Sequence, residues 1–234
     1  MNPSHSLTTS LAFSLRWSCS TLTEGVIRVR PPTVTSITAR FFDWVQGAAF
    51  YADVHREAVE LALATATTPA PSWIDVGCGP GLVARLAAER GARAKGIDTS
   101  PAMIRAARRH PGTAQFEVSN AADLPAESAD IVSAASLLCG VPSPRSTAAT
   151  LWSAVRPGGA LLLIETTATM TLDAARRIAS DVDPHRRHAL ILWARSRNGT
   201  AFDRAALEAI PAEQETSTPL LHGLVEAIIT VKPR

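Results

Sequence analysis

Residues 73–81 read Trp-Ile-Asp-Val-Gly-Cys-Gly-Pro-Gly, an apolar run holding one acid, Asp75, that opens into glycines at 77, 79 and 81. Glycines in a turn let the backbone approach a ligand closely, and a helix beginning behind them offers unpaired amide donors. Asp98 follows at the expected end of the next strand, where a carboxylate can accept from both hydroxyls of a ribose diol. A nucleotide-like ligand is implied. The dinucleotide fingerprint puts its third glycine where this chain has Leu82, which argues against a nicotinamide cofactor.

Other reactive side chains give weaker patterns. Cys78 sits inside the glycine turn with no basic neighbour in sequence to activate it, and reads as a small packing residue. His185 and His188 share a helical face in the pattern, but no third ligand is in register and Arg186 and Arg187 oppose a cation, so no metal site is expected. Tyr51 and His55, four apart on the helix before the glycine turn, are the candidates for helping to remove a proton.

These residues must be held by alternating strands and helices. Apolar runs at 72–76 and 92–97 are each followed by a helical pattern, at 81–90 and 101–109, which predicts parallel strands with right-handed crossovers. Ser100 can cap the second helix, with Pro101 in its first turn. Further strands are expected at 116–118, 131–135 and 160–165, the last apolar on both faces and therefore central. A helix carrying Ala148, Leu151, Trp152 and Val155 ends at Pro157, and helices are expected at 172–182, 185–195 and 203–210. Segments 213–218 and 224–231 close the chain as an antiparallel hairpin, their connection being too short for a crossover helix. The fold class is therefore α/β, a mostly parallel seven-stranded sheet between helical layers with an antiparallel C-terminal hairpin.

The 234 residues are 46% apolar and 19% charged with a net charge of +2, which suits one globular domain with a sizeable core. No apolar run is long enough for a membrane-spanning helix, which predicts a soluble protein. A balance of 23 basic and 21 acidic residues gives no general pull toward nucleic acid and favours a small partner. Three widely separated cysteines form no disulfide framework, which points to a reducing, cytoplasmic setting. Residues 1–40, rich in Ser and Thr, read as an N-terminal arm, and 41–234 as the domain, with helical cap elements at 41–66 and 168–210.

The glycine turn resembles motif I of the class I S-adenosylmethionine-dependent methyltransferases. Gly96-Ile-Asp-Thr-Ser-Pro-Ala-Met103 is similar to the family's second motif, Asn120-Ala-Ala-Asp-Leu-Pro125 to its third, and Arg156-Pro-Gly-Gly159 to its turn before the central strand. The resemblance implies a Rossmann-like sandwich and S-adenosyl-L-methionine (SAM) as cofactor. It puts Asp75, Gly77, Cys78 and Gly79 around the methionine portion, Gly81 with them in the cofactor site, and Asp98 on the ribose. Thr99 and Met103 would flank the adenine, Asn120 would accept from its amine, and Ala121 would offer a backbone amide. Ser136 and Leu137 would lie near the reactive methyl group. The stretch Ser136-Leu-Leu-Cys-Gly140 lacks the Asn/Asp-Pro-Pro-aromatic motif of amino-methylating nucleic-acid enzymes, so a small-molecule acceptor is expected. Two alternatives remain beside it: a SAM-binding partner or regulator without turnover, and a nicotinamide oxidoreductase.

Overall fold

The computed structural model describes residues 36–197 and 201–234. Most of the expected N-terminal arm thus lies outside the described residues. In chain order the elements are α1 (Ser36–Gln46), α2 (Ala49–Leu63), β1 (Ser72–Val76), α3 (Leu82–Glu89), β2 (Arg93–Asp98), α4 (Pro101–Ala107) and β3 (Gln115–Val118). There follow β4 (Ala129–Ala135), α5 (Pro144–Ala154), β5 (Val155–Thr166), α6 (Leu172–Val182), α7 (Arg187–Arg197), β6 (Gln214–Leu220) and β7 (Val225–Val231). The seven strands form one sheet in the order β3-β2-β1-β4-β5-β7-β6. The first five are parallel, and β7 enters antiparallel between β5 and β6.

The patterning explains the layering. On β5, Leu162 and Ile164 face a core shared with α2, α3, α6 and α7, while Leu161 and Leu163 face a second core under α5. A strand buried on both sides needs this unbroken apolar run. β6 is the opposite case, an edge strand exposed along most of its length and carrying Glu215 and Pro219, which discourage pairing with another chain.

Local chemistry sets several boundaries. Ser100 caps α4, its Oγ accepting from the Met103 amide at 3.4 Å, and Pro101 occupies the first turn. Three boundaries differ from the expectations. The segment Arg156-Pro-Gly-Gly159 is not a free turn but the start of β5, which pairs from Val155 onward with a register shift. The helix expected at 203–210 is the short 3-10 turn Arg204–Leu207. His185 precedes α7, so it shares no helical face with His188. No helix among the described residues is long and apolar enough to cross a membrane.

Candidate active site

The turn after β1 holds Gly77, Gly79 and Gly81 at φ of 68°, 53° and 84°, in the left-handed region that side chains disfavour. The three glycines are required for different reasons. A Cβ on Gly77 would lie 2.8 Å from Leu137 Cδ1, and one on Gly81 would lie 2.4 Å from Phe116 Cε1, so both are closed by protein packing. On Gly79 a Cβ would meet only Gln46 Nε2 at 3.7 Å. Gly79 is therefore the turn position with its α-carbon open. Cys78 is buried against Gly96, whose added Cβ would come within 2.9 Å of its sulfur, and burial pushes its thiol well above the usual range.

Asp98 ties this turn to the end of β2. Its Oδ2 accepts from the Gly79 amide at 3.0 Å and its Oδ1 from the Ser100 amide at 2.8 Å. Each carboxylate oxygen has further acceptor capacity. Desolvation holds the carboxyl above its ordinary pKa, against the pull of those two amides. The Asp98 carbonyl also accepts from the Ser119 amide at 3.2 Å, which brings the Asn120 loop alongside.

Asp75 is 2% exposed. Its Oδ1 accepts from Ser133 Oγ at 2.7 Å, and that hydroxyl accepts from Trp73 Nε1 at 2.8 Å. The carboxyl also takes the Ala84 amide in the first turn of α3, where Gly81 supplies no side-chain cap. Burial pushes its pKa to about 7. Asp75 thus locks β1 to β4 and to α3 beneath the turn.

Across the exits of β4 and β5 lies a second group of polar side chains. Ser136 adopts a φ of 54°, and its amide donates to the Ile164 carbonyl at 2.8 Å. Glu165, fully buried at the end of β5, accepts from the Leu138 amide at 3.0 Å through Oε1, while Oε2 has no partner among the described residues. Burial raises its pKa to about 7. Arg197, the last residue of α7, donates from Nη1 to Cys139 Sγ at 2.7 Å. Tyr51 of α2 lies in electrostatic range of Arg197, Glu165 and Cys139, and its ring meets Trp193 of α7 at 4.8 Å between centroids.

Residues 74–163 match the sequence profile of a family described as "Methyltransferase domain". A trans-aconitate 2-methyltransferase of Paracidovorax citrulli is 37% identical over 113 residues, 46% of this chain and 44% of that protein. A ubiquinone biosynthesis O-methyltransferase of Xanthomonas campestris pv. campestris is 32% identical over 112 residues, 45% of this chain and 47% of that protein. The chain thus spans under half the length of either relative. Among solved structures, magnesium protoporphyrin IX methyltransferase of Synechocystis PCC 6803 with bound S-adenosylhomocysteine (SAH) superposes with a TM-score of 0.58 at 17% identity, over 86% of this chain and 96% of that one.

The described residues thus share the fold of that methyltransferase.

Within the segment that matches this profile, the ends of β1, β2 and β4 bring Gly77, Gly79, Asp98 and Leu137 to one edge of the sheet. Thr99 is exposed beside them, whereas Met103 is buried with Ala39, Ala102 and Ala106 between α1 and α4. Ala121 is half-buried against the core under α5. Asn120 also has a structural use. Its Oδ1 already accepts from the Ala122 amide at 3.0 Å, and Asp123 answers at the Asn120 amide, a reciprocal cap on the 3-10 turn Ala121–Asp123.

The two residues considered for proton removal are both buried, in surroundings that move their titration away from neutrality. His55 is 1% exposed, and its Nδ1 donates to the Tyr51 carbonyl at 2.7 Å; burial lowers its pKa to about 4. Burial raises Tyr51 to about 12, which keeps its hydroxyl protonated and a donor. Sequence reasoning missed Gln46, Glu165 and Arg197. Only Glu165 carried a signal, an acid ending an otherwise apolar central strand; the other two arrive from helices whose placement is tertiary. No cluster of His, Cys, Asp or Glu suited to a metal occurs among the described residues.

Proposed function

We propose that this chain transfers the methyl group of SAM to a small-molecule acceptor. The observation that carries the reading is the turn at 77–81, open only at Gly79 and fastened through the Gly79 amide to Asp98. When bound, SAM supplies a methyl group on a positively charged sulfur, a leaving group that needs no activation by the protein. Gly79 allows close backbone approach, Asp98 accepts from the ribose hydroxyls with its remaining lone pairs, and Leu137 closes over Gly77 beside the reacting centre. Asp75 acts beneath, orienting the turn and α3, and its partial charge favours a cationic methionine portion above it.

The chain's contribution to rate is positioning and exclusion of water, which can supply most of the acceleration for a direct displacement. The aromatic contact of Tyr51 with Trp193 helps wall the β4 and β5 exits from solvent. A small acceptor agrees with the relatives named for trans-aconitate and for ubiquinone biosynthesis, and with a net charge of only +2. A cytoplasmic setting, with Cys78 and Cys139 as free thiols, belongs to the same reading.

Calorimetry with SAH and with NAD, followed by incubation with methyl-labelled SAM and a panel of small acids, phenols and amines, tests it. SAH binding and labelled product are expected. Binding without turnover of any acceptor would favour a regulatory SAM-binding protein, and NAD binding in place of SAH would overturn the reading.

A further inference from the structure

The sheet order divides the site in two. The turn and Asp98 occupy the ends of β1 and β2, with the Asn120 loop beyond them after β3. On the other side, over β4 and β5, stand Arg197, Cys139 and Glu165. If the ribose and adenine take the first half, the second is left for the acceptor.

The guanidinium of Arg197 is under-used there. One of its nitrogens donates to the Cys139 sulfur, a weak acceptor, and Nε is buried without a partner among the described residues. No carboxylate lies within ion-pairing distance of it among the described residues. Glu165, an acid in electrostatic range of it, is turned to the Leu138 amide, and burial raises its pKa to about 7. Arg197 is half-buried, and a guanidinium whose buried Nε lacks an acceptor is costly; a planar anion that fits the guanidinium fork removes that cost. The groups beside it suit an anion. Burial keeps the Cys139 and Tyr51 side chains protonated, and Trp193, one turn earlier on α7, packs its ring against Tyr51.

We propose that Arg197 anchors a carboxylate of the methyl acceptor, so that the acceptors are small carboxylic acids seated over the exits of β4 and β5. The proposal rests on the methyltransferase reading and narrows its substrate class. A carboxylate is also present in the methionine portion of the cofactor, and the test separates the two sources.

Calorimetry on the full chain would use SAH and 5′-methylthioadenosine, which lacks the amino-acid portion. With SAH saturating, benzoate and trans-aconitate would then be compared with their uncharged amides. Arg197→Met keeps the aliphatic stem and Arg197→Lys keeps the charge; thermal melting confirms that each is folded. The expected result is tighter binding of at least one acid than of its amide, a loss of about 10- to 100-fold in Arg197→Met, partial recovery in Arg197→Lys, and unchanged SAH affinity. Equal binding of acids and amides by the unmodified chain overturns the proposal, as does acid binding unaffected by Arg197→Met. A selective loss of SAH affinity in Arg197→Met, with 5′-methylthioadenosine unaffected, assigns the arginine to the cofactor and overturns it as well. In each of these cases SAH binding by the unmodified chain leaves the methyltransferase reading standing, whereas absence of SAH binding removes both.

Discussion

Replacing Asp98 separates its two jobs, because its structural partners and its expected ligand contacts use different lone pairs of the same two oxygens. In Asp98→Ala the amides of Gly79 and Ser100 both lose their acceptor, now at 3.0 and 2.8 Å. Two such losses cost about 2–4 kcal/mol of stability, reduced where water reaches the half-buried turn. Asp98→Asn keeps one acceptor oxygen and presents an amide donor at the other position, so one backbone N–H is orphaned instead of two, for about 1–2 kcal/mol. Affinity falls for a different reason, since loss of the charged acceptor for a ribose diol is worth about 1.5–3 kcal/mol, roughly 10- to 150-fold in the dissociation constant of SAH. Calorimetry with SAH, paired with denaturant unfolding of each variant, reads both effects. An SAH analogue lacking the 2′-hydroxyl should lose much less on Asp98→Asn than SAH does, which isolates the coupling to the diol. A folded Asp98→Asn variant that binds SAH as tightly as the parent chain would refute the assignment.

The glycines give a paired prediction. Gly81→Ala drives a Cβ into the Phe116 ring at a positive φ and should lower stability by about 2–4 kcal/mol, whereas Gly79→Ala should destabilise less but weaken SAH binding more; the reverse ranking in melting and calorimetry would place the cofactor elsewhere. Stability should also decline as pH rises from about 4.5 to about 7. Over that window the folded state keeps protons on Asp75 and Glu165 that the unfolded state has released, since burial raises both to about 7. His55, lowered to about 4, acts in the opposite direction below about pH 6.5 and offsets one of the two protons. Glu165→Gln should therefore flatten the stability–pH profile and be more stable than the parent at pH 8 by about 1–3 kcal/mol; an unchanged slope in urea unfolding at pH 5 and pH 8 would contradict the burial argument.

Much of this was local and therefore readable along the chain. The period-2 alternation is overridden in β5 by a fully apolar run, Ser100 and Pro101 announce the start of α4, and three glycines after a strand mark the tight turn behind it. These signals depend on backbone sterics and on neighbours a few residues away, which the sequence specifies directly. At Asn120 the pattern with Asp123, three residues on, builds a reciprocal cap that was not read along the chain.

What only the tertiary structure decided is which side chains meet and how their charges stand. Three glycines with the same spacing became two packing positions and one open one, because Leu137 arrives from the loop after β4 and Phe116 from β3. Tyr51 and His55 carry suitable functional groups, but burial moves both pKa values away from neutrality, an effect of surroundings that no spacing encodes. Arg197 reaches Cys139 across 58 residues of chain, bringing a cation to the exit of β4 that nothing near it in sequence announces. Sequence alone determined the strand-and-turn frame, since its causes are short-range; desolvation and long-range contact determined the chemistry available within it.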